Sequence, residues 1–305
     1  EHALFNFQTD AYREVWPKTI DRSIEWFDSL TVWQQELMGY TATVANGQRN
    51  YYPHNLTGGE AIAPLFYNNP NFAIQGDAND AGYANSSTYR TMYNSVECIR
   101  NSFDVSRSNM DEWCAGHECG HNNQGAINLE ACGEASNNLF SNVCRFIFGR
   151  NMTGGNSLAF VMNEYANGTY FSVRDLNSRL RMYYQLYLYF HEIGHDKTFF
   201  PRLFEHLRKN PMSSTSGVNG KFNQLRFAEA CCEVAQMDLS EFFEVWGFFE
   251  PMYNAYVGDY NDYYVTLSST DATDSRLKME GYSKKGGHLM FIEDRVKPSK
   301  RCDGS

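Results

Sequence analysis

The sequence predicts an α+β fold that is mostly helical and has a minor β part. Residues 18–40 place apolar side chains on one helical stripe, and helical patterning returns over about residues 89–150 and again over about 175–246. A tyrosine-rich stretch at residues 260–267 indicates a strand, which a short helix and a hairpin at the Gly286-Gly287 pair follow. Helices therefore make up most of the predicted fold.

Loops separate these segments without dividing the chain into independent domains. A stretch rich in Gly, Pro, Asn and Asp at residues 47–85 predicts loops and brief strands, and a Gly- and Asn-rich break covers residues 151–156. We therefore expect one unit over residues 1–305. The break leaves room for two lobes, one of about residues 1–150 and a helical one of about 151–305 that ends in the hairpin.

Composition narrows the class of protein. Hydrophobic residues make up 42% and charged residues 20% of the chain, which indicates a globular protein. The formal net charge of -10 argues against nucleic acid or an anionic membrane surface as partner. The apolar-looking stretch at residues 182–190 is too short to span a bilayer and is interrupted by Gln185. Because the chain begins in ordinary globular sequence without a signal peptide, we expect an excised domain or a processed mature chain.

One short sequence pattern indicates a metal site: His117-Glu118-Cys119-Gly120-His121. On a helix, residues four apart lie on one face about one turn apart, so both imidazoles can reach the same metal ion. Glu118 would then lie beside the ion, where a carboxylate can take a proton from a bound water. The pattern predicts a catalytic zinc ion held by His117 and His121, with Glu118 as the general base.

A catalytic zinc ion needs a third protein ligand, which in one large class is a Glu from the next helix. The turn at residues 122–125 precedes a second predicted helix that carries Glu130 and Glu134. Spacing alone does not separate these two acids. We favour Glu134, because Asn138 lies one turn beyond it on the same face and its amide can orient a metal ligand. Trp113, one turn before the first His, is equally consistent with core packing and with a wall of the substrate cleft.

The same five-residue pattern occurs again at His191-Glu192-Ile193-Gly194-His195. We favour the first copy because the nearest Glu after the second, Glu205, lies on an amphipathic helix whose apolar face belongs to the core. The segment before the second copy is so apolar and aromatic that it predicts a buried helix ending within the pattern. If the second copy held the metal, Glu205, Glu229 or Glu233 would have to supply the missing ligand.

Longer patterns surround the first copy. They read Trp113-x-x-x-His117-Glu118-x-Gly120-His121-Asn122-x-Gln124 and Gly133-Glu134-x-x-Asn137-Asn138-Leu139-Phe140. Together they resemble the enhancin-like gluzincin metallopeptidases of peptidase family M60, and the resemblance extends over about residues 20–295, including the segment 238–247. The chain departs from the family at Cys119, where an aliphatic residue is more common, and at Asn123, which is often His.

The resemblance implies a gluzincin-type zinc peptidase catalytic domain whose active-site helix carries the HExxH pattern. It implies His117, His121 and Glu134 as ligands of one zinc ion and Glu118 as the catalytic residue. It further implies a protease that acts on mucin-type O-glycosylated proteins and is secreted or bound to the surface of bacteria. We expect a monomeric catalytic domain with no membrane span and no nucleic-acid partner.

Three questions stay open at this level. A further donor to the oxyanion must come from elsewhere in the chain, and a substrate backbone could pair with an edge strand within residues 76–93. The alternative function is a catalytically degenerate glycoprotein-binding module of the same fold, since a cleft lined by aromatic residues would also serve binding. The intact set of His117, Glu118, His121 and Glu134 argues against it, because a binding protein does not need the general base.

Overall fold

The computed structural model describes most of the chain. The described residues are 3–16, 20–39, 71–75, 83–87, 90–108, 110–147, 150, 155–194, 196–213, 223–258 and 262–286.

Helices dominate the described residues. They are α1 (Thr9–Val15), α2 (Ile20–Leu37), α3 (Val96–Phe103), α4 (Glu112–Asn123), α5 (Gly133–Ile147), α6 (Leu158–Ala166), α7 (Leu176–Tyr187), α8 (Phe199–Lys209), α9 (Gln224–Ala235), α10 (Ser240–Val245) and α11 (Ser269–Glu280). A π-helical turn (Leu188–Glu192) directly continues α7. The mostly helical α+β prediction is confirmed.

The larger sheet has four short strands, β1 (Ala3–Asn6), β2 (Asn71–Gln75), β3 (Ala84–Ser87) and β4 (Arg90–Tyr93), in the order β1-β2-β4-β3. Strand β1 is parallel to β2, and β2 is parallel to β4. Strand β3 runs antiparallel to β4, with Ser86 opposite Thr91, and lies at the edge of the sheet. A separate antiparallel pair consists of β5 (Met252–Gly258) and β6 (Asp262–Leu267).

The chain groups into two compact units. The first comprises Glu1–Gly125 and Asn137–Arg150 and contains the four-stranded sheet, α1 to α4 and most of α5. Its core joins aromatic side chains, among which Phe103 contacts Tyr93 at a centroid distance of 4.6 Å and Phe27 at 5.2 Å. This core also includes buried residues of α4 and α5, so the two helices are fixed by packing as well as by their own hydrogen bonds.

The second unit comprises Ala126–Ser136 and Asn151–Ser305. It contains α6 to α11 and the β5-β6 hairpin, whose buried residues pack with Ala131. In its helical part, Phe190 stacks on Phe199 with ring centroids 3.8 Å apart.

Several boundaries differ from the sequence prediction for a physical reason. The predicted helical block beginning near residue 89 starts instead with strand β4, and the helix begins at Val96 after Ser95, whose hydroxyl accepts from the Cys98 N–H. A four-residue strand next to a helix is too short to show its own periodicity. The predicted hairpin at Gly286 extends beyond the described residues. Most of the loop-rich stretch at residues 47–85 also lies outside them, and its described parts lie in or next to strands β2 and β3.

No helix in the described part of the chain is long and apolar enough to cross a membrane. The seven cysteines in that part are buried and free of disulfide bonds.

Candidate metal centre

Helix α4 presents the two histidines of the first pattern. It begins after Asp111, whose carboxylate accepts from the Trp113 N–H at 3.1 Å and so satisfies one of the free donors of the first turn. His117 and His121 follow one turn apart on the same face, with ring centroids 4.7 Å apart and ring planes at 87°. This face of α4 therefore presents both imidazoles side by side.

Two glycines allow α5 to lie directly against α4. A Cβ atom added at Gly120 would lie 2.4 Å from the backbone oxygen of Asn137, and one added at Gly116 would lie 2.9 Å from the Cα atom of Ser141. Neither position tolerates a side chain without a shift of α5. The spacing of four residues between the glycines places both contacts on one face of α4.

The close approach brings a carboxylate of α5 to the histidines. His117, His121 and Glu134 each offer one ligand atom, and these atoms all lie within 4.8 Å of one another. All three residues are half-buried. Glu134 is in the first turn of α5. Of the described residues, these three could hold a metal ion.

Glu130, the other acid considered as third ligand, is not part of this group. It precedes α5 instead of lying on it, because the chain makes a turn in which Ala131 has φ of +62°. Its backbone N–H donates to Oδ1 of Asn223 at 3.4 Å.

Asn138 determines the orientation of the first imidazole. Its Oδ1 atom lies 2.7 Å from Nδ1 of His117, and this oxygen also accepts from the Ser141 hydroxyl at 3.4 Å. A carbonyl oxygen only accepts, so Nδ1 carries the proton and Nε2 keeps its lone pair for a metal ion. The contact is of the kind that fixes metal-binding imidazoles in other proteins.

Gln124 contacts the second imidazole. Its side-chain nitrogen lies 3.0 Å from Nδ1 of His121. Metal binding through Nε2 requires a proton on Nδ1, and the amide meets this requirement when its oxygen faces the ring, which a 180° rotation of the amide achieves.

Asn137 was quoted in the sequence pattern without a role, yet it contacts both imidazoles. Its side-chain nitrogen lies 3.1 Å from Nε2 of His117 and 3.0 Å from Nε2 of His121. The only signal in the sequence was its place beside Asn138 in the Glu-x-x-Asn-Asn pattern.

Glu118 and Trp113 complete the set of residues singled out from the sequence. Glu118 lies on α4 between the two histidines and is nearly buried. Trp113 is half-buried, and its backbone oxygen accepts from the Ser141 hydroxyl of α5 at 3.2 Å. Both roles for its indole ring, core packing and cleft wall, remain predictions.

A buried carboxylate joins the first turn of α4 to α5 and to the arginine at position 150, which lies beyond the end of α5. Glu112 is 1% exposed, and its two oxygens lie 3.4 Å from Nε of Arg145 and 3.0 Å from an Nη atom of Arg150. Two guanidinium partners compensate the charge that burial would otherwise penalise.

Gln34 of α2 holds the other side of the same helix. Its amide nitrogen donates to the backbone oxygen of Gly116 at 3.2 Å, and its oxygen accepts from the Asn123 side chain at 2.7 Å. Asn123, where the sequence departs from the usual family residue, is therefore engaged in positioning α4.

A family model described as peptidase M60, enhancin and enhancin-like, matches residues 1–247. The chain belongs to this family. The match includes α4, α5 and all residues of the candidate metal centre. No curated protein matches the sequence.

Solved structures agree with the family assignment. A metallopeptidase from Bacteroides thetaiotaomicron is 28% identical, with a TM-score of 0.79 over 97% of this chain and 48% of its own. A metallopeptidase in complex with Tn antigen is also 28% identical, with a TM-score of 0.78 over 97% of this chain and 52% of its own. The M60 catalytic domain of Clostridium perfringens ZmpC, in complex with sialyl T antigen, is 17% identical with a TM-score of 0.62 over 98% and 51%, and shows the shared fold. This chain spans about half the length of these structures.

The second HExxH pattern of this M60 family member has a different local structure. His191 lies in the π-helical turn, stacks on Tyr187 with centroids 4.7 Å apart, and has its pKa lowered to about 4 by burial. The helical stretch ends at Glu192, and Gly194 follows with φ of +80°. A π-turn does not place residues four apart on one face as an α-helix does. His195 lies outside the described residues.

The acids that could have completed a site at the second pattern are engaged in ion pairs. Glu205 accepts from Lys209 at 2.8 Å, and Glu229 contacts Lys278 at 3.3 Å. Glu233 pairs with an Nη atom of Arg226 at 2.6 Å. None of these acids belongs to the metal-binding group found among the described residues.

Proposed function

We propose that the chain is a zinc-dependent endopeptidase that cleaves peptide bonds in mucin-type O-glycosylated proteins. This proposal rests on the short distances among the side chains of His117, His121 and Glu134. Glu118 lies between the two histidines in the sequence. Membership of the M60 family supports the peptidase activity. The similar metallopeptidase in complex with Tn antigen supports a glycosylated substrate.

The residues of the site fit a zinc ion. Two imidazoles and one carboxylate are a known donor set of catalytic zinc sites. Their mutual approach within 4.8 Å is close to what one ion with ligand distances of about 2.0–2.2 Å requires. When bound, zinc would lower the pKa of a coordinated water to about 7 and polarise the substrate carbonyl.

Glu118 performs the proton transfers in this mechanism. Its carboxylate accepts a proton from the attacking water and delivers it to the leaving amine, which departs as a neutral group. The nearly buried position on α4 limits competing contacts with solvent. Asn138 keeps the imidazole of His117 in the tautomer that the reaction requires.

Strand β3 offers a place for the substrate backbone. It pairs with β4 on one side, and no other described strand pairs with it. The Ser86 hydroxyl of β3 donates to Oδ1 of Asn122 at 2.9 Å, which fixes the strand next to the residue that follows His121. An edge strand beside the metal helix can hydrogen-bond an extended peptide.

We further propose that the protein acts outside the cell, secreted or at the bacterial surface, where mucin-type substrates occur. The 305 residues form one monomeric catalytic unit in this account. The family resemblance suggests this location and oligomeric state. Neither is derived from contacts within the chain.

Digestion of a defined panel of O-glycopeptides, with products identified by mass spectrometry, tests the substrate class. The same peptides after enzymatic deglycosylation are the matched control. The proposal predicts zinc-dependent cleavage of the glycosylated peptides alone. Equal cleavage of both forms would reduce the function to a general zinc peptidase, and glycopeptide binding without cleavage would favour the degenerate binding module.

A further inference from the structure

The Asn137 amide faces the two nitrogens that a metal ion would use. Its nitrogen lies 3.1 Å from Nε2 of His117 and 3.0 Å from Nε2 of His121. Asn138 accepts from Nδ1 of the first imidazole, so that ring has its lone pair on Nε2. A side-chain amide nitrogen has two N–H donors, which is one for each imidazole when the Gln124 amide presents its oxygen to Nδ1 of His121.

The other half of the same amide is unsatisfied. Asn137 is fully buried, and its Oδ1 atom has no hydrogen-bond partner among the described residues. A buried amide oxygen without a donor costs free energy, so the orientation of this amide is stabilised by its contacts with the imidazoles and not by its oxygen. Only the nitrogen of this amide therefore has hydrogen-bond partners, and these partners are the two histidines.

A metal ion and an N–H group cannot use the same lone pair. An ion bound to both Nε2 atoms would replace both hydrogen bonds from Asn137, and a positive ion repels the partial positive charge of an N–H group. The amide would have to turn or withdraw as the ion binds.

We infer that the Asn137 side-chain amide competes with the metal ion for the two imidazoles and so lowers the metal affinity of the site. The inference rests on the proposed zinc site at His117, His121 and Glu134. In the metal-free protein, the amide holds both rings in place through their Nε2 atoms. In the metal-bound protein, these two hydrogen bonds are absent.

Replacing Asn137 therefore lowers the stability of the metal-free protein more than that of the metal-bound protein. Asn137→Leu removes both donors and keeps a side chain of similar size, so the zinc dissociation constant should fall by about tenfold. The variant should unfold at a lower temperature than the parent in the presence of chelator. Saturating zinc should raise its unfolding temperature by more than it raises that of the parent.

Asn142→Leu is the matched control. Asn142 lies on the same helix and is fully buried, and its amide nitrogen and oxygen have no hydrogen-bond partner in the part of the chain that the structure describes. The substitution removes a buried amide of α5 without removing an imidazole contact, so zinc affinity should stay within about twofold of the parent.

Zinc dissociation constants are measured by competition with a chromophoric chelator, using Zn²⁺ as the only added ligand. A lower dissociation constant for Asn137→Leu, with Asn142→Leu unchanged, supports the inference. An unchanged or higher constant for folded Asn137→Leu overturns it while leaving the zinc site of the parent intact. A parent that binds no zinc would instead overturn the proposed function together with this inference.

A measurement on the parent covers the case in which Asn137→Leu fails to fold. The side-chain NH₂ signals of Asn137 and Asn142 are assigned by NMR and followed as one equivalent of Zn²⁺ is added. The signals of Asn137 should shift strongly, because both N–H groups lose their acceptors, and those of Asn142 should shift little. Asn137 signals that stay in place while the imidazole signals show zinc binding would overturn the inference.

Discussion

The Oδ1 atom of Asn138 lies 2.7 Å from Nδ1 of His117 and leaves the opposite ring nitrogen free of a proton, as the proposed metal site requires. The amide is held on α5, four residues after Glu134 on the same helix. One helix therefore carries both a proposed metal ligand and the group that orients another proposed ligand. If the site holds zinc as proposed, its affinity depends on a residue that does not touch the metal.

Asn138→Ala should weaken zinc binding by about 10- to 100-fold while the protein stays folded, because the His117 ring loses its orienting acceptor. Asn138→Asp keeps an acceptor oxygen and should retain most of the affinity. Chelator competition measures both constants, with circular dichroism to confirm folding. Parent-like zinc affinity in folded Asn138→Ala would show that the contact does not position the imidazole.

The two HExxH patterns can be distinguished by zinc content. His117→Ala removes a proposed metal ligand and should lose zinc while the fold largely survives. His191→Ala should keep the zinc content of the parent and lose stability instead, since its ring packs against Tyr187. Zinc per chain is measured after dialysis. Zinc retained in folded His117→Ala but lost from folded His191→Ala would move the metal centre to the second pattern.

The third ligand is tested by a matched pair of acids. Glu134→Ala should lose zinc to the same degree as His117→Ala, because both remove one ligand of the same ion. Glu130→Ala should retain it, because Glu130 lies in the turn before α5 and outside the metal-binding group. Zinc per chain after dialysis distinguishes the two variants. Zinc lost from Glu130→Ala but retained in Glu134→Ala would show that Glu130 is the third ligand.

The packing of α4 on α5 is tested at its glycines. Gly120→Ala should destabilise the protein by about 1–3 kcal/mol, because the new methyl group meets the backbone oxygen of Asn137. Gly125→Ala is the control, since a Cβ atom there would have no atom of the described residues within 4 Å. Chemical denaturation measures both free energies of unfolding. Equal stability of the two variants would contradict the close approach of the helices.

Burial of His191 makes stability depend on pH. Its pKa is lowered from 6.5 to about 4 in the folded protein, so the unfolded chain binds the proton first as pH falls. The free energy of unfolding should therefore decrease between about pH 6.5 and 4, by at most about 1.4 kcal/mol per pH unit from this residue. His191→Phe retains a ring against Tyr187 and should show a shallower decrease. Identical slopes for metal-free parent and variant would exclude this contribution.

The parts of the site that depend on local spacing could be predicted from the sequence. Residues four apart on a helix face the same way, which is why His117 and His121 could be paired and Asn138 could be placed on the face of Glu134. The long amphipathic helix predicted at residues 18–40 is present as α2, because its apolar stripe runs for several turns.

Features that depend on contacts between distant segments could not be predicted. The role of Asn137 requires α5 to lie against Gly120, and nothing in the sequence around Asn137 gives that distance. Gln34 is 82 residues from the backbone oxygen that it binds. Strand β4 was missed because four residues are too few to show an alternating pattern, and its pairing with β2 depends on the fold of the whole sheet.

The most direct test of the central claim is to compare the parent with Glu118→Gln on an O-glycopeptide. The amide cannot accept the proton of the attacking water, and the three metal ligands are unchanged. The account predicts that the variant is folded, contains zinc at the level of the parent, and has lost nearly all cleavage. Cleavage by the zinc-loaded variant at a rate close to that of the parent would contradict the role of Glu118 as the general base.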